Sequence, residues 1–156
     1  MLVGIGFDIH RHSQEDVLYL GGLKLDGPGF QAHSDGDILL HTLCDALLGA
    51  LSKKDLGHYF PSNNKTPKKI SSVEMLEEVL NIIEYKKYII NNIDVILISQ
   101  TINIENIRTR LVENLGVLLN IDVSKINIKG KTTDNIGMIG SKEASACQTI
   151  ISISDA

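Results

Sequence analysis

The order of periodic segments predicts an α+β fold, a mixed four- to five-stranded sheet with helices packed on one face in a two-layer sandwich, plus a small N-terminal hairpin. Three observations carry this reading. Strand-like runs and a hairpin signal come first, and then the chain reads helix, helix, strand, helix, strand, strand. Ile93-Asp94-Val95-Ile96-Leu97-Ile98 is an almost unbroken apolar run, which predicts a strand covered on both faces. No repeat and no linker-like stretch divides the 156 residues, so a single domain over residues 1–156 is expected.

Residues 1–10 read as a strand built on Val3-Gly4-Ile5-Gly6-Phe7. Val17–Leu20 and Leu23–Leu25 flank Gly21-Gly22, a hairpin signal, and Gly27-Pro28-Gly29 reads as a turn. A helix is expected from Asp35 to Leu51, with Leu40, Leu43, Leu47 and Leu48 on its apolar face. Asp55 to Pro67, rich in Gly, Asn, Pro and Ser, reads as a loop. A second helix is expected from Ser72 to Tyr88. Ser71 and Glu74 have capping-box spacing at its start, and Lys86 and Lys87 suit the dipole at its end. Ile104, Ile107, Leu111, Leu115 and Leu118 mark a third amphipathic helix. Lys125–Lys131 alternates as a half-buried strand, and Ser145–Ile153 reads as the last one.

A net charge of −4 argues against non-specific nucleic-acid binding, which needs a basic face. It also means that phosphate charge on any ligand has to be met locally, by metal ions and backbone N–H groups. Cys44 and Cys147 lack metal-ligand spacing and sit in apolar stretches, which predicts buried free thiols and a reducing compartment. No apolar run approaches the ~20 residues that cross a bilayer. Met1 leads straight into the first strand, so a soluble cytoplasmic protein is expected, with no nucleic-acid or membrane partner. A plastid-type location would require that a targeting segment had been removed.

The chemistry concentrates in two short pieces. Strand alternation points Asp8 and His10 to the same side, and Asp37, His41 and Asp45 fall at i, i+4 and i+8 on a helix. Two imidazoles and one carboxylate form a zinc set with an open fourth position. Each piece alone has a plainer reading. Asp-x-His ends strands for turn or hydrogen-bonding reasons, and i,i+4 polar pairs are common on solvated faces. The company favours a site, because His33 and Ser34 directly precede the helix and its opposite face is apolar. Asp37 or Asp45 can serve as the partner that fixes a metal-bound imidazole. His12 shares the Asp8/His10 face and competes as a ligand, although an exposed residue at the strand's end is the simpler reading. His58 reads as a surface residue. Asp55–Pro61 is either a plain helix-exit loop or a functional one, and Lys129–Asp134 either an ordinary polar turn or a place for phosphate oxygens.

Taken together, these segments resemble the methylerythritol cyclodiphosphate synthase family. The resemblance is carried by Gly4-Ile5-Gly6-Phe7-Asp8-Ile9-His10, by Ala32-His33-Ser34-Asp35-Gly36-Asp37 with His41, and by Asp45-Ala46-Leu47-Leu48-Gly49-Ala50. Asp55-Leu56-Gly57 with Phe60-Pro61, and Thr132-Thr133-Asp134 with Gly137, complete it over nearly the whole chain. The resemblance implies cyclisation of 4-diphosphocytidyl-methylerythritol 2-phosphate, a nucleotide-linked small molecule, with release of CMP. It implies that Asp8, His10 and His41 hold one zinc ion per subunit, and that magnesium or manganese accompanies the substrate diphosphate near Asp134. His33 and Thr132 would act catalytically on the phosphates, beside Ser34 and Thr133. Asp55 and Gly57 would meet the methylerythritol unit, Phe60 and Pro61 would bind the substrate, and Ser99, Gln100, Thr101, Ile102 and Asn103 would meet the cytidine. The family is a homotrimer with active sites between neighbouring subunits, and Met138, Ser141 and Glu143 fall at its axial cavity.

Four departures are visible. Phe60-Pro61-Ser62-Asn63 replaces the family's Phe-Pro-Asp, removing a carboxylate. Gln100-Thr101-Ile102-Asn103 replaces Gln-x-Pro-Lys, removing a cation near the diphosphate, which predicts weaker substrate binding. Asp134 stands for the usual Glu, one methylene shorter. Met138-Ile139-Gly140-Ser141 replaces Phe-x-Gly-Arg, which predicts weak or absent binding of isoprenoid diphosphates unless Lys142 substitutes.

Overall fold

Glycine decides how the first strand is used. The computed structural model describes residues 1–156, and its strand β1 runs from Leu2 to Leu20. Gly4, Gly6, Asp8 and His10 alternate onto one side of β1, and Val3, Ile5, Phe7 and Ile9 onto the other. A Cβ on Gly4 would lie 1.8 Å from the Ala46 carbonyl oxygen, and one on Gly6 2.0 Å from that of Thr42. Helix α1 (Ile38–Ala50) therefore rests directly on the strand backbone, an approach that only glycine permits. The apolar side chains are turned outward, leaving Ile5 58% and Phe7 59% exposed.

After β1 come β2 (Leu23–Phe30), α1, a short α2 (Leu56–Tyr59), α3 (Ser72–Ile82) and β3 (Tyr88–Ile98). They are followed by α4 (Ile104–Leu119), β4 (Ile126–Lys131), a short α5 (Gly137–Gly140) and β5 (Ala144–Asp155). The five strands form one mixed sheet in the order β2-β1-β5-β3-β4, in which only the β3–β4 pair is parallel. One continuous core of buried apolar side chains joins the inner sheet face to α1, α3 and α4. The α+β class and the helices on one face are as expected from the sequence.

Several boundaries differ from expectation. The N-terminal strand and the hairpin are not separate: Leu2–Arg11 pairs with β5, and the same strand continues past Ser13 to pair with β2. Gly27-Pro28-Gly29 is the irregular middle of β2 rather than a turn, facing a bulge between Ser13 and Val17. In β3, Ile93, Val95 and Leu97 are buried while Asp94, Ile96 and Ile98 are half-buried, so helices cover one face only. The helix expected to reach Tyr88 stops at Ile82, because Glu84 adopts a left-handed conformation (φ 52°) and a 3₁₀ turn over Tyr85–Lys87 follows. Lys87 there pairs with Glu84 at 2.7 Å instead of facing a helix end. Ser71 caps α3 by accepting the Val73 N–H at 3.2 Å, one residue short of the Glu74 N–H that a capping box uses, so a simple serine cap forms in place of the box.

Asp37 is the N-cap of α1 and is fully buried. Its carboxylate accepts the N–H groups of Leu40 at 3.0 Å, Gly21 at 2.9 Å and Gly22 at 2.7 Å. It thus ties the hairpin turn, where both glycines have positive φ, to the start of the helix that carries His41. Replacing it with alanine orphans three backbone donors, those of Leu40 and Gly21 buried and that of Gly22 half-buried. Asp37→Ala should lower unfolding free energy by about 3 kcal/mol in urea titration, with Asp37→Asn recovering part of the loss. A change below about 1 kcal/mol for the alanine variant would contradict this role.

Candidate active site

Asp8 and His10 reach the site from β1, and His41 from the first turn of α1, because the two glycines let helix and strand touch. One ligand atom from each of the three lies within 4.8 Å of the others. Asp8 Oδ2 is 2.9 Å from His10 Nε2 and 3.6 Å from His41 Nδ1. Each imidazole is held from behind. His10 Nδ1 donates to the Gly36 carbonyl at 3.0 Å, and His41 Nε2 sits 3.1 Å from Ser34 Oγ and 3.0 Å from Ser72 Oγ. A carbonyl only accepts, so the Gly36 contact keeps the Nδ1 proton in place and frees His10 Nε2 as a ligand. The donor set therefore fits a divalent metal with two nitrogens, one oxygen and a backing partner for each ring.

Neither Asp37 nor Asp45 is the partner of either histidine. Asp37 is spent on the cap and hairpin, and Asp45 accepts the Leu56 N–H at 2.7 Å, tying α2 to α1. Ser72, which sequence reasoning missed, does that work instead, and its hydroxyl also bonds the Asp35 carboxylate. No local pattern distinguishes it from the adjacent capping Ser71; only the packing of α3 on α1 brings it to His41.

Burial alone would raise the Asp8 carboxyl, but hydrogen bonds from His10 and then His41 hold it well below the usual carboxylate range. Burial alone would lower His10, yet Asp8 outweighs it and leaves the imidazole above its ordinary value. Asp45 is pushed up by burial despite its backbone bond. Cys44 and Cys147 are buried and free, and burial drives the Cys147 thiol up to about 12, so neither offers a thiolate near neutrality.

Asp8, His10 and His41 open onto a cavity of about 330 Å³ that also receives His33, Ser34, Asp45, Gly57 and Phe60. His33 Nε2 donates to the Thr66 carbonyl at 2.8 Å, which ties its ring to the 62–70 segment. Asp55 begins α2 on the exposed side, and Pro61 follows Phe60 outside this cavity. Ser99, Gln100, Thr101, Ile102 and Asn103 instead wall a second cavity, of about 640 Å³, together with Thr132. Gln100 spends its side chain on the Thr133 N–H (3.0 Å) and Asn135 (3.2 Å), so it positions the 132–135 turn. Asp134 is exposed in that turn, in a left-handed conformation, near the Thr132 hydroxyl. Met138 and Ser141 lie at α5, where Ser141 Oγ bonds Glu143 at 3.3 Å. His58 is exposed beside Tyr59, as expected. His12 is neither a ligand nor a free strand end: it packs on Phe30 and bonds hydroxyls.

The profile of the YgbB family matches residues 1–154. The chain belongs to the YgbB family. Members similar to it include the 2-C-methyl-D-erythritol 2,4-cyclodiphosphate synthase of Halothermothrix orenii, 38% identical over 99% of this chain and 94% of that one. The bifunctional enzyme IspD/IspF of Pelagibacter ubique is 43% identical over 96% of this chain, which spans only 41% of that longer protein. Among solved YgbB structures, the Plasmodium falciparum IspF in complex with CDP superposes with a TM-score of 0.84. That match has 39% identity and covers 97% of this chain and 94% of the other. The mixed five-stranded sheet is thus the family fold.

Proposed function

We propose that this chain cyclises 4-diphosphocytidyl-2-C-methyl-D-erythritol 2-phosphate to 2-C-methyl-D-erythritol 2,4-cyclodiphosphate, releasing CMP, as a phosphorus–oxygen lyase of cytoplasmic non-mevalonate isoprenoid synthesis. The observation that carries this is the Asp8/His10/His41 set, backed by Gly36, Ser34 and Ser72, opening beside His33 in one cavity. The 2-phosphate oxygen attacks the β-phosphorus, the bond from that phosphorus to the bridging oxygen breaks, and CMP leaves with that oxygen. A phosphate oxygen needs no general base, which suits a site without a free one. Asp8, His10 and His41 would hold zinc, the substrate diphosphate would bring magnesium or manganese beside Asp134, and the Lewis acidity of such ions would offset phosphate charge. The chain's own task is to fold one molecule onto itself, and such orientation is worth roughly 7–11 kcal/mol. Ser34 and His33 line the phosphate side, Asp55, Gly57, Phe60 and Pro61 the methylerythritol side, and residues 99–103 with Thr133 the nucleotide side.

A homotrimer with shared sites fits two features. His33 and Thr132, the proposed catalytic pair, line different cavities of one chain, so a neighbouring copy has to bring them together. The outer sheet face, with Val3, Ile5, Phe7, Ile9 and Ile150 exposed, suits burial against such copies. No helix is long and apolar enough to cross a membrane.

The test is direct. Substrate supplied with zinc and magnesium should give CMP and a cyclic diphosphate by phosphorus NMR; inorganic phosphate as product would mark a phosphohydrolase and overturn the reading. Asn103 is the N-cap of α4 yet makes no side-chain cap bond, so a lysine there costs little. Asn103→Lys should lower KM by about fivefold by restoring a charged contact to the diphosphate. An unchanged or raised KM would count against that contact.

A further inference from the structure

A closed knot of polar atoms joins three strands at the edge of the larger cavity, and the cyclisation chemistry does not use it. His12 Nε2 lies 2.8 Å from Ser145 Oγ and 3.1 Å from Thr101 Oγ1. Ser145 Oγ lies 2.7 Å from Ser99 Oγ, which accepts the backbone N–H groups of Thr101 at 3.2 Å and Ile102 at 3.1 Å. Ser145 is fully buried and Ser99 nearly so. The His12 ring is itself fixed. It stacks on Phe30 with centroids 4.8 Å apart, and its Nδ1 faces the Gly29 carbonyl at 3.3 Å. A carbonyl only accepts, so Nδ1 carries the proton and Nε2 receives a hydroxyl hydrogen.

Apolar side chains would join these strands as firmly, without the cost of burying hydroxyls. What the knot adds is a grip on the backbone of residues 99–102, which wall the cavity of about 640 Å³. We propose that His12 is a positioning residue for nucleotide recognition: through Ser145, Ser99 and Thr101 it sets the 99–102 wall before the ligand arrives. Ordering that segment in advance removes part of the entropy that binding would otherwise cost. The inference rests on the cyclase reading above, which assigns this cavity to the cytidine phosphate.

The test is calorimetric titration of the zinc-loaded full chain with CDP, beside steady-state kinetics, for the unmodified protein, His12→Phe and Ser145→Ala. His12→Phe keeps an aromatic ring on Phe30 and removes the polar contacts, whereas Ser145→Ala removes only the buried hydroxyl between His12 and Ser99. CDP affinity should weaken about five- to tenfold in His12→Phe and less in Ser145→Ala. KM should rise by a similar factor, with kcat within about twofold and zinc content unchanged. CDP affinity within about twofold of the unmodified protein in both variants would overturn the proposal, and so would loss of zinc and kcat with affinity intact. Should His12→Phe not fold, Ser145→Ala, a change at a residue outside the cavity lining, decides the matter alone. If the unmodified chain binds no CDP, the cyclase reading falls first and takes this inference with it.

Discussion

Asp8→Asn should strip zinc from the protein and slow cyclisation roughly a thousandfold, the equivalent of about 4 kcal/mol in barrier height. The substitution is nearly isosteric, so the argument is one of charge. Asp8 Oδ2 is the one anionic atom between His10 Nε2 and His41 Nδ1, at 2.9 and 3.6 Å. An amide oxygen in that place is neutral and a poorer ligand for a dication. Both imidazoles stay clamped by Gly36, Ser34 and Ser72, so the shape of the site survives while its affinity falls. Metal content by atomic absorption and kcat/KM from CMP release check the two halves separately. A variant that keeps stoichiometric zinc and a rate within about tenfold would show that the carboxylate is not a ligand.

Gly6→Ala should be as damaging by a different route. The new Cβ would meet the Thr42 carbonyl oxygen at 2.0 Å and the carbon behind it at 2.8 Å, both backbone atoms of α1. No rotamer change relieves such a contact, so the helix has to lift from the strand. Overpacking of this kind costs about 3 kcal/mol or more when backbone must move. Thr42 follows His41 directly, so the lift separates His41 from Asp8 and His10, and a displacement near 1 Å can cost about a hundredfold in rate. Stability by urea titration and zinc content should fall together. Unfolding free energy within about 1 kcal/mol of the unmodified protein, with zinc retained, would contradict the packing argument.

How much of this was legible beforehand follows from the range of the interactions. Alternation in β1 placed Asp8 and His10 on one side, and the apolar periodicity of α1 located His41, because both signals are local. The continuity of β1 past Ser13 is hidden by Ser13-Gln14-Glu15-Asp16, a polar stretch with no alternation, which is the bulge itself. The early end of α3 turns on Glu84 in a left-handed conformation, a state that glycine or asparagine usually announces and glutamate does not. The backing of His41 by Ser72, 31 residues away, and of His12 by Ser145, 133 residues away, is wholly tertiary, so no spacing rule reaches it. Asp37 shares the stripe of the metal histidines and so resembles a helper of them; two of its three backbone donors come from a hairpin whose docking the stripe does not encode.

The two-sided use of β1 has a consequence for how this chain can vary. On the inward side Gly4 and Gly6 tolerate no added atom, and Asp8 and His10 supply two of the three metal donors. On the outward side Val3, Ile5, Phe7 and Ile9 form an exposed apolar row that a charge would interrupt. Most strands have a solvent side on which neutral drift accumulates. With that row buried in the proposed trimer, β1 has none from Val3 to His10, and random mutation should find there its densest run of intolerant positions.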